Sequence, residues 1–333
     1  MASTIKDISA ETGLALATIS KFLNGGNVKQ ENREKIEAAV KKLNYRPNLT
    51  ARALITKKTR TIAFVVNVIS SQFSGLLLKY AGELLRRQGY SMMICDSDHD
   101  PKLEAENIRF CVDKNVDGIM LMPVGMDGAN LRPAEEAGIP VVLLDREMNK
   151  TDCDCVTIDN RMSAKRAVQY LISCGHTKIA VIHSMEYTGN ERYLGYREAM
   201  EQAHLPVPET YVHSGEMHST ELGYETMKQL LALPDRPTAV FMTNYEVSLG
   251  VVMALNEAQL RCPDDISLVG FDELVLTLVM KPKMTVVAQP MEELCRETVR
   301  LLLERIDMED PVSPRRVSIY ADLKEGASVR RLA

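Results

Sequence analysis

Residues 4–24 read TIKDISAETGLALATISKFLN, and this stretch decides how the N-terminal part of the chain folds. Thr4 and Asp7 have the spacing of a capping box, so a helix is predicted to begin directly after Thr4. That helix runs to about Thr12 and ends at Gly13, because glycine readily takes the left-handed conformation that closes a helix.

Two more helices are predicted after this one. A tight turn at residues 14–15 leads into a second helix over residues 16–24, and apolar residues at helical spacing predict a third over residues 31–43. One apolar cluster joins the first two helices and is formed by Ile5, Ile8, Leu14, Ile19, Phe22 and Leu23. Two helices joined by a tight turn and braced by a third make a helix-turn-helix, whose second helix lies in the major groove of DNA. The alternative is a small helical bundle that packs against another part of the protein.

The charge of the chain changes near residue 60. Residues 1–60 contain eight Lys and four Arg against one Asp and four Glu, a net charge of +7, whereas the whole chain carries −5. Residues 61–333 therefore sum to −12. A basic module on an acidic protein is typical of a chain that binds a polyanion at one end only.

A short fourth helix is predicted over residues 48–55. Arg46-Pro47 ends the preceding helix, and Asn48 can cap a new one. A helix of this length is marginal alone in water, so we expect it to fold only against a partner. The predicted domains are a headpiece (1–47), a hinge helix and linker (48–60) and a larger core (61–333).

The core alternates apolar strands with helices. Strands rich in Val, Ile, Leu and Met, joined by short helical crossovers, indicate parallel sheets that are buried on both faces. The pattern runs from about residue 61 to residue 157 and is repeated over about residues 160–288, followed by a last long helix over residues 291–306. This count fits two doubly wound lobes of ordinary domain size.

Several stretches resemble the lactose-repressor/galactose-repressor (LacI/GalR) family of bacterial transcription regulators. They are TIKDI (4–8), ATISK (17–21), LNG (23–25), REKI (33–36) and YRPN (45–48), and family-like stretches continue to the C-terminus. The resemblance implies an α/β fold class: an N-terminal all-α helix-turn-helix headpiece, then a periplasmic-binding-protein-like core of two doubly wound parallel-sheet lobes. It also implies three passages of the chain between the lobes, expected near residues 157–160, 289–292 and 317–321. Lobe one would hold about 61–157 and part of 290–320, and lobe two about 160–288 and the C-terminal end.

The resemblance assigns DNA contacts residue by residue. Leu16, Ala17 and Lys21 match base-reading positions at the start of the recognition helix, where apolar groups meet thymine methyls and lysine donates to guanine acceptors. Leu54 matches a leucine that wedges into the minor groove at the centre of a palindromic site and kinks the DNA. The full expected set is Thr4, Leu16, Ala17, Thr18, Ser20, Lys21, Asn24, Tyr45, Asn48, Ala51 and Leu54, with Thr4, Thr18, Asn24 and Tyr45 as phosphate partners.

Two headpiece residues depart from the family pattern. Lys21 stands where the family usually has Arg, so bidentate readout of a base is lost. Ala15 replaces a serine at the recognition-helix cap, which removes a cap worth about 1 kcal/mol. The alternative function is therefore a small-ligand sensor whose DNA binding is weak or lost through these two changes.

Polar residues follow several of the predicted strands, at the sheet edge where α/β folds bind ligands. Asp145, Asn244 and Asp272 each follow an apolar strand, and the resemblance assigns them to effector contacts. The full set that it implies is Phe73, Asp145, Arg192, His218, Asn244, Asp272 and Gln289, with His218 in the stretch where many members have an aromatic residue that stacks on a sugar. Carboxylates, amides and a guanidinium suit the hydroxyls of a sugar or the oxygens of a sugar phosphate.

Each of these residues also has a purely structural explanation. An Asp after a strand is often a helix cap, as Asp272 is if a helix begins near Glu273, and Arg192 can be a surface residue of its helix. The family's Asn-Asp at one strand end reads Asn244-Tyr245 here, so one carboxylate is missing. The loop DSDHD at residues 96–100 is interpreted as an ordinary solvated loop despite its many potential ligands.

Composition excludes several classes of protein. The chain has no N-terminal apolar run typical of a secretion signal and no apolar stretch long enough to span a membrane. The seven cysteines contain no CxxC pair and the six histidines are scattered, so reduced thiols and no metal site are predicted. GxSxG, P-loop and strand-following GxGxxG motifs do not occur, so neither a catalytic residue nor a cofactor is predicted.

These features together predict a transcription regulator that is not an enzyme. We expect a cytoplasmic, nucleoid-associated bacterial repressor that binds a pseudo-palindromic operator in double-stranded DNA as a homodimer, with no membrane partner. A small effector, a sugar or sugar phosphate, is expected in the cleft between the lobes. A phosphocarrier-protein corepressor, as in the catabolite-control members of the family, is the alternative. No segment like the family's tetramerising tail follows Leu332, which favours a dimer.

Overall fold

The computed structural model describes residues 3–23, 26–45, 58–308 and 313–332. These residues form two compact units, one within residues 1–59 and one within residues 60–333. Four residues expected to contact DNA, Asn24, Asn48, Ala51 and Leu54, lie outside the described residues, as does the predicted helix over residues 48–55. Within the described ranges, no helix combines the length and the apolar character needed to cross a bilayer.

The N-terminal unit contains three helices, α1 (Ile5–Thr12), α2 (Leu16–Leu23) and α3 (Gln30–Lys42). The predicted capping box is confirmed, because the Thr4 amide donates to Asp7 Oδ2 at 2.7 Å and the Asp7 amide donates to Thr4 Oγ1 at 3.4 Å. Gly13 ends α1 with a φ of 69°. The shared apolar cluster is also confirmed, and its fully enclosed members are Ile8, Ile19, Ile36 and Ala39.

The first lobe of the core is built on a six-stranded parallel sheet. Its strands are β1 (Thr61–Val66), β2 (Ser91–Asp96), β3 (Gly118–Leu121), β4 (Val141–Leu144), β5 (Asp154–Ile158) and β11 (Arg316–Ile319), in the spatial order β11-β5-β4-β3-β1-β2. Its helices are α4 (Gln72–Arg87), α5 (Pro101–Asp113), α6 (Arg132–Glu136) and α12 (Met291–Asp307).

Alternation of side chains along β1 shows why both faces of this sheet are covered. Phe64 belongs to the apolar cluster that includes Leu77 of α4, whereas its neighbour Val65 belongs to the cluster that includes Ile108 of α5. Successive side chains of a strand point to opposite faces. A strand with apolar residues on both faces therefore needs a helix on each side, as the sequence pattern predicts.

The second lobe repeats this arrangement. Its strands are β6 (Ile179–Ser184), β7 (Val212–Gly215), β8 (Ala239–Met242), β9 (Ser267–Phe271), β10 (Thr285–Ala288) and β12 (Asp322–Lys324), in the order β12-β10-β9-β8-β6-β7. Its helices are α7 (Asn160–Ser173), α8 (Tyr187–Gln202), α9 (Thr220–Ala232), α10 (Tyr245–Glu257) and α11 (Val275–Val279). The prediction that the second sheet is fully parallel is wrong for one strand, because β12 pairs with β10 in the antiparallel sense.

The chain passes between the two sheets three times. It leaves the first sheet after β5 and enters α7, returns after β10 through α12, and leaves again between β11 and β12. These passages fall at residues 158–160, 288–291 and 319–322, next to the positions expected from the sequence. Residues that follow the strands of both lobes are thereby brought to one cavity.

Helix α7 begins at Asn160, because Asp159 Oδ1 accepts the amide of Met162 at 2.8 Å and caps its first turn. Helix α8 begins at Tyr187. Between β3 and β4, a 3-10 helix over Gly128–Leu131 leads directly into α6.

Candidate functional site

The outward face of α2 carries the residues expected to read DNA bases. Leu16 is 43% exposed although it is a large apolar residue, and Ala17 and Lys21 are also exposed. Ile19, on the opposite side of the same helix, is fully buried in the headpiece core. One side of α2 is therefore exposed to solvent, while the other side is packed into the headpiece core.

The remaining described residues of the DNA set lie around this surface. Thr4 is exposed but engaged with Asp7, Thr18 and Ser20 are half-buried, and Tyr45 packs against the headpiece core. The carbonyl of Ala15 accepts the Thr18 amide at 2.9 Å and begins α2 without a side-chain cap. Contact of these residues with DNA stays a prediction.

A polar cavity of about 210 Å³ lies where residues that follow strands of the two sheets approach one another. All seven residues expected to contact an effector line it, namely Phe73, Asp145, Arg192, His218, Asn244, Asp272 and Gln289. Residues from both lobes contribute, because Phe73 belongs to α4 of the first lobe and Arg192 to α8 of the second. The structure thus brings the predicted set together, and its role in ligand binding stays a prediction.

Arg192 lines the cavity and is almost completely buried. Its Nε donates to Asn160 Oδ1 at 2.8 Å, its Nη1 donates to the Thr243 carbonyl at 2.6 Å, and its guanidinium carbon lies 3.6 Å from the ring centre of Phe271. Burial lowers the pKa of Arg192, and the nearby charge of Asp272 opposes this shift. Its plane and position are therefore fixed before any ligand arrives.

Two buried aspartates flank Arg192. Burial raises the pKa of Asp272 to about 6, and the charge of Arg192 and a hydrogen bond from Gln289 Nε2 to Asp272 Oδ1 at 2.6 Å hold it from rising further. Burial also raises the pKa of Asp145, against the charges of Arg146 and Arg192. Both carboxylates are costly to desolvate, which is typical of functional sites.

Glu186 links the two lobes on another wall of the cavity. Its Oε1 accepts from Arg146 Nη1 of the first lobe at 2.9 Å, and its Oε2 lies 3.1 Å from His218 Nδ1 of the second lobe. Burial disfavours the ionised form of Glu186, but the hydrogen bond from His218 and the charge of Arg146 outweigh burial and lower its pKa. Burial lowers the pKa of His218, although the hydrogen bond to Glu186 and the charge of Glu186 oppose this shift.

A second contact between the lobes involves Glu246, which also lines the cavity. Ser71 Oγ, before α4, donates to Glu246 Oε1 at 3.2 Å, and Asn244 Nδ2 donates to Glu246 Oε2. Asn244 also caps α10, because its Oδ1 accepts the Val247 amide at 3.1 Å. Glu246 therefore supplies a carboxylate to the wall two residues after the expected strand-end position.

Four buried polar atoms on the cavity wall make no hydrogen bond within the described part of the chain. They are Asn67 Oδ1, Ser74 Oγ, Arg146 Nε and Gln289 Oε1. Buried polar atoms in folded proteins are nearly always paired with protein groups, water or a ligand. These four atoms around one cavity are therefore available to water or to a polar ligand.

Two family models match this chain. The model for bacterial regulatory proteins of the lacI family matches residues 4–48, and the model for a periplasmic binding protein-like domain matches residues 168–329. Catabolite control protein A of Priestia megaterium is 31% identical over 310 residues, covering 92% of this chain and 93% of that protein. The chain belongs to the LacI family. It is a DNA-binding transcription regulator, as the headpiece predicts.

Other relatives place this LacI-family regulator among repressors. The ribose operon repressor of Escherichia coli K12 is 32% identical, covering 91% of this chain and 93% of that protein. The structure of the transcriptional regulator CelR with cellobiose is 29% identical, with a TM-score of 0.73 and coverage of 98% of this chain and 99% of that one. The lac repressor dimer bound to operator is only 21% identical but has a TM-score of 0.87 over 99% of this chain and 100% of that one, which shows the shared fold.

Sequence reasoning missed several cavity residues of the LacI-family core. Asn67 directly follows β1, and Arg146 lies beside Asp145. Glu186 lies two residues beyond the end of β6, and Glu246 lies two residues after Asn244. The signal that identified Asp145, a polar residue after an apolar strand, applies equally to Asn67. Glu186 has no such signal, because its importance depends on Arg146 of the opposite lobe.

Three structural explanations offered for single residues are wrong. Asp272 does not cap α11, because that helix begins at Val275 and its preceding residue makes no side-chain cap. Arg192 is not a surface residue, since it is only 3% exposed. The loop at residues 96–100 is only partly solvated, because His99 lines the cavity and its Nδ1 lies 3.7 Å from Glu186 Oε1.

Proposed function

We propose that this LacI-family regulator is a cytoplasmic, homodimeric repressor whose operator affinity is set by a sugar-like effector in the cavity between its lobes. The observation that carries the proposal is the lining of one polar cavity by residues of both lobes. A ligand that contacts both lobes favours the arrangement of lobes in which its contacts are complete. Any effect on DNA affinity must be matched by an equal effect of DNA on ligand affinity.

In the DNA-bound state, we propose that α2 lies in the major groove. Leu16 and Ala17 contact thymine methyl groups, and Lys21 donates to an acceptor on a guanine. Thr4, Thr18, Asn24 and Tyr45 position the headpiece on the phosphates. The same proposal includes Ser20, Asn48, Ala51 and Leu54 among the DNA contacts, with Leu54 in the minor groove.

The cavity is proposed to bind its effector through its strand-end residues. Asp145, Asp272 and Arg192 offer acceptors and a fixed guanidinium to neighbouring hydroxyl groups, and Gln289 and Asn244 add amide groups. Phe73, near the start of α4, supplies an apolar surface. The volume of about 210 Å³ fits a molecule of monosaccharide size rather than a large ligand.

Helix α11 supports association of two copies. Val275, Leu278 and Val279 of this five-residue helix are each more than half exposed. Exposed apolar residues grouped on one short helix are typical of a protein–protein contact. We propose that this face contributes to the homodimer, which places two headpieces on the two halves of one operator.

A protein corepressor is the alternative to a sugar. It is favoured by the 31% identity to a catabolite control protein, and the partner proposed on this basis is a phosphorylated phosphocarrier protein. Substitutions that remove the cavity contacts distinguish the two, since they abolish regulation by a sugar and leave regulation by a surface-bound protein intact.

Selection of bound sites from random duplex DNA, at two salt concentrations, tests the DNA-binding part of the proposal. A dimeric reader is expected to enrich a palindrome whose two halves have a fixed spacing. Steep salt dependence without any enriched sequence would show phosphate contacts alone and contradict sequence-specific regulation. Absence of DNA binding at either salt concentration favours the ligand-sensor alternative.

A further inference from the structure

The charges around the cavity do not balance. Four carboxylates line it, from Asp145, Glu186, Glu246 and Asp272, against the two guanidinium groups of Arg146 and Arg192. With histidine counted as neutral, the formal charge of the lining is −2. An anionic ligand entering a buried site of this sign is repelled more strongly than it would be in water.

Neither guanidinium is free to compensate an incoming anion. Arg192 donates to Asn160 and to the Thr243 carbonyl and is flanked by two aspartates. Arg146 is engaged through Nη1 by Glu186 at 2.9 Å, and its Nε lies 3.5 Å from Asp145 Oδ2. A phosphate or carboxylate would therefore have to compete with Glu186 for Arg146 Nη1, and near Arg192 it would meet the negative charges of Asp272 and Asp145.

The Glu186 carboxylate is held in place beside Arg146 by contacts with His218. The backbone amide of His218 lies 3.3 Å from Glu186 Oε2, and its ring Nδ1 lies 3.1 Å from the same oxygen. The ring Nε2 of His218 lies 3.2 Å from Thr243 Oγ1, which fixes the imidazole from its other side. The carboxylate thus cannot swing away from Arg146 without losing the bonds to His218.

Three buried cavity atoms without a hydrogen bond suit hydroxyl groups. Asn67 Oδ1 and Gln289 Oε1 only accept, and the Ser74 hydroxyl both donates and accepts. Hydroxyl groups can pair with all three, because each donates and accepts. Phosphate and carboxylate oxygens only accept, so such a group placed against the two amide oxygens would give them no donor.

We propose that Glu186 sets the charge selectivity of the cavity: by neutralising Arg146, it makes the site bind uncharged polyhydroxylated molecules and reject their phosphorylated and carboxylated derivatives. This inference rests on the proposed role of the cavity as the effector site. It narrows the effector from a sugar or sugar phosphate to the unphosphorylated compound. It also assigns the selectivity between charged and uncharged ligands to Glu186, a residue that the strand-end pattern of the sequence does not identify.

Titration calorimetry on the full-length protein with matched ligands tests the inference. The ligands are ribose and ribose 5-phosphate, glucose, glucose 6-phosphate and glucuronate, and cellobiose. Wild-type protein is expected to bind at least one uncharged sugar and to bind its charged derivative at least about tenfold more weakly. Tighter binding of a phosphate or acid than of its parent sugar would overturn the inference.

The variant Glu186→Gln tests the role of the residue itself. The amide keeps the size of the side chain and an acceptor for His218 but releases the charge of Arg146, so affinity for the anionic derivative is expected to rise at least about tenfold. Glu246→Gln removes one charge from the same cavity while leaving the Arg146–Glu186 pair in place, so its gain is expected to be smaller. Glu198→Gln removes a carboxylate that pairs with Arg161 and Lys165 outside the cavity and is expected to change nothing.

The outcomes separate this inference from the function on which it rests. No gain of anion binding in Glu186→Gln, or an equal gain in Glu246→Gln, would show that Glu186 does not set selectivity. If no uncharged sugar binds wild-type protein, the cavity is not a sugar-effector site and both proposals fall. If Glu186→Gln does not fold, as judged by its melting curve, the wild-type preference between each sugar and its derivative still decides the charge selectivity.

Discussion

Asp145 and Asp272 have the same backbone conformation at matching positions of the two lobes, each with a φ of 72°. The amide of Asp145 donates to the Val156 carbonyl of the adjacent strand at 2.9 Å, and the amide of Asp272 donates to the Val287 carbonyl at 2.8 Å. Asp145 follows β4 beside β5, and Asp272 follows β9 beside β10. Left-handed residues other than glycine are strained, and both aspartates line the same cavity, so this matched pair supports the proposal that the two lobes share one ligand site.

The first prediction concerns the carboxylate of Asp272. Its pKa is raised to about 6 in the folded protein, against about 3.9 for an ordinary Asp, so the folded state holds a proton that the unfolded state has lost. Wild-type stability is therefore reduced as pH rises through about 6. Asp272→Asn is expected to be more stable than wild type by about 1–3 kcal/mol at pH 8, with no such gain near pH 4. The same variant should bind sugar more weakly.

Urea unfolding of both proteins at pH 4, 6 and 8 measures this difference. Asp264→Asn, an exposed position in the same lobe, serves as the control and should change stability little at any pH. A variant that is less stable than wild type at pH 8 would show that the ionised Asp272 carboxylate stabilises the ligand-free fold, in contradiction to a net cost of its desolvation.

The second prediction concerns Asp154, whose side chain is fully buried at the start of β5. Burial opposes its ionisation, but hydrogen bonds from Arg305 and Arg315 at 2.6–2.7 Å lower its pKa to about 2. The contribution of the carboxylate is therefore present above about pH 4 and is lost as pH falls towards 2. Asp154→Asn is expected to cost about 2–4 kcal/mol of unfolding free energy at pH 7.

Urea denaturation from pH 7 down to pH 3 tests whether this cost shrinks below about pH 4. Asp235→Asn is the matched control, because Asp235 pairs with Lys178 but is largely exposed, and such pairs contribute little. A pH-independent cost for Asp154→Asn would attribute the loss to packing and not to the ion pairs.

The third prediction concerns base reading by α2. Lys21→Ala is expected to weaken binding to the selected operator by about 1–2 kcal/mol and to relax preference at one base pair of each half-site. Lys35→Ala, on α3 and paired with Glu31 at 2.6 Å, is the control for loss of one positive charge from the headpiece. Fluorescence anisotropy with the operator and with a scrambled duplex measures both effects. Equal losses on both duplexes would show that Lys21 contacts phosphate only.

The fourth prediction concerns the exposed apolar face of α11. Leu278→Lys is expected to dissociate the dimer and, as a consequence, to lower operator affinity steeply while sugar binding by each chain persists. Met162→Lys is the control, since Met162 is also an exposed apolar residue but lies on α7. Sedimentation at several protein concentrations measures the assembly state. A variant that remains dimeric would place the contact elsewhere.

How much could be predicted from the sequence depends on where the information lies. The buried strands are runs such as TIAFVV in β1, and their pattern is local, so the sequence predicts them well. Strands β11 and β12 read RVSI and DLK, and these short, partly polar sequences do not predict strands by themselves. They form strands through pairing with β5 and β10, which lie far away in the sequence.

The cavity shows the same division. Asp145, Asn244 and Asp272 follow strands and could be placed from the sequence together with the family resemblance. Glu186 acquires its role from Arg146, forty positions earlier in the chain and on the other lobe. Such partnerships across the cleft exist only once both sheets are assembled.

The measurement that most directly tests the central claim is the operator affinity of the full-length protein with no ligand and with a saturating concentration of the sugar that binds the cavity. The account predicts a change of at least about fivefold, in either direction, and an equal change in sugar affinity when operator is present. It also predicts that Asp272→Asn shows a much smaller response to the same sugar concentration. An operator affinity that is unchanged by a sugar shown to occupy the cavity would contradict the claim that this site controls DNA binding.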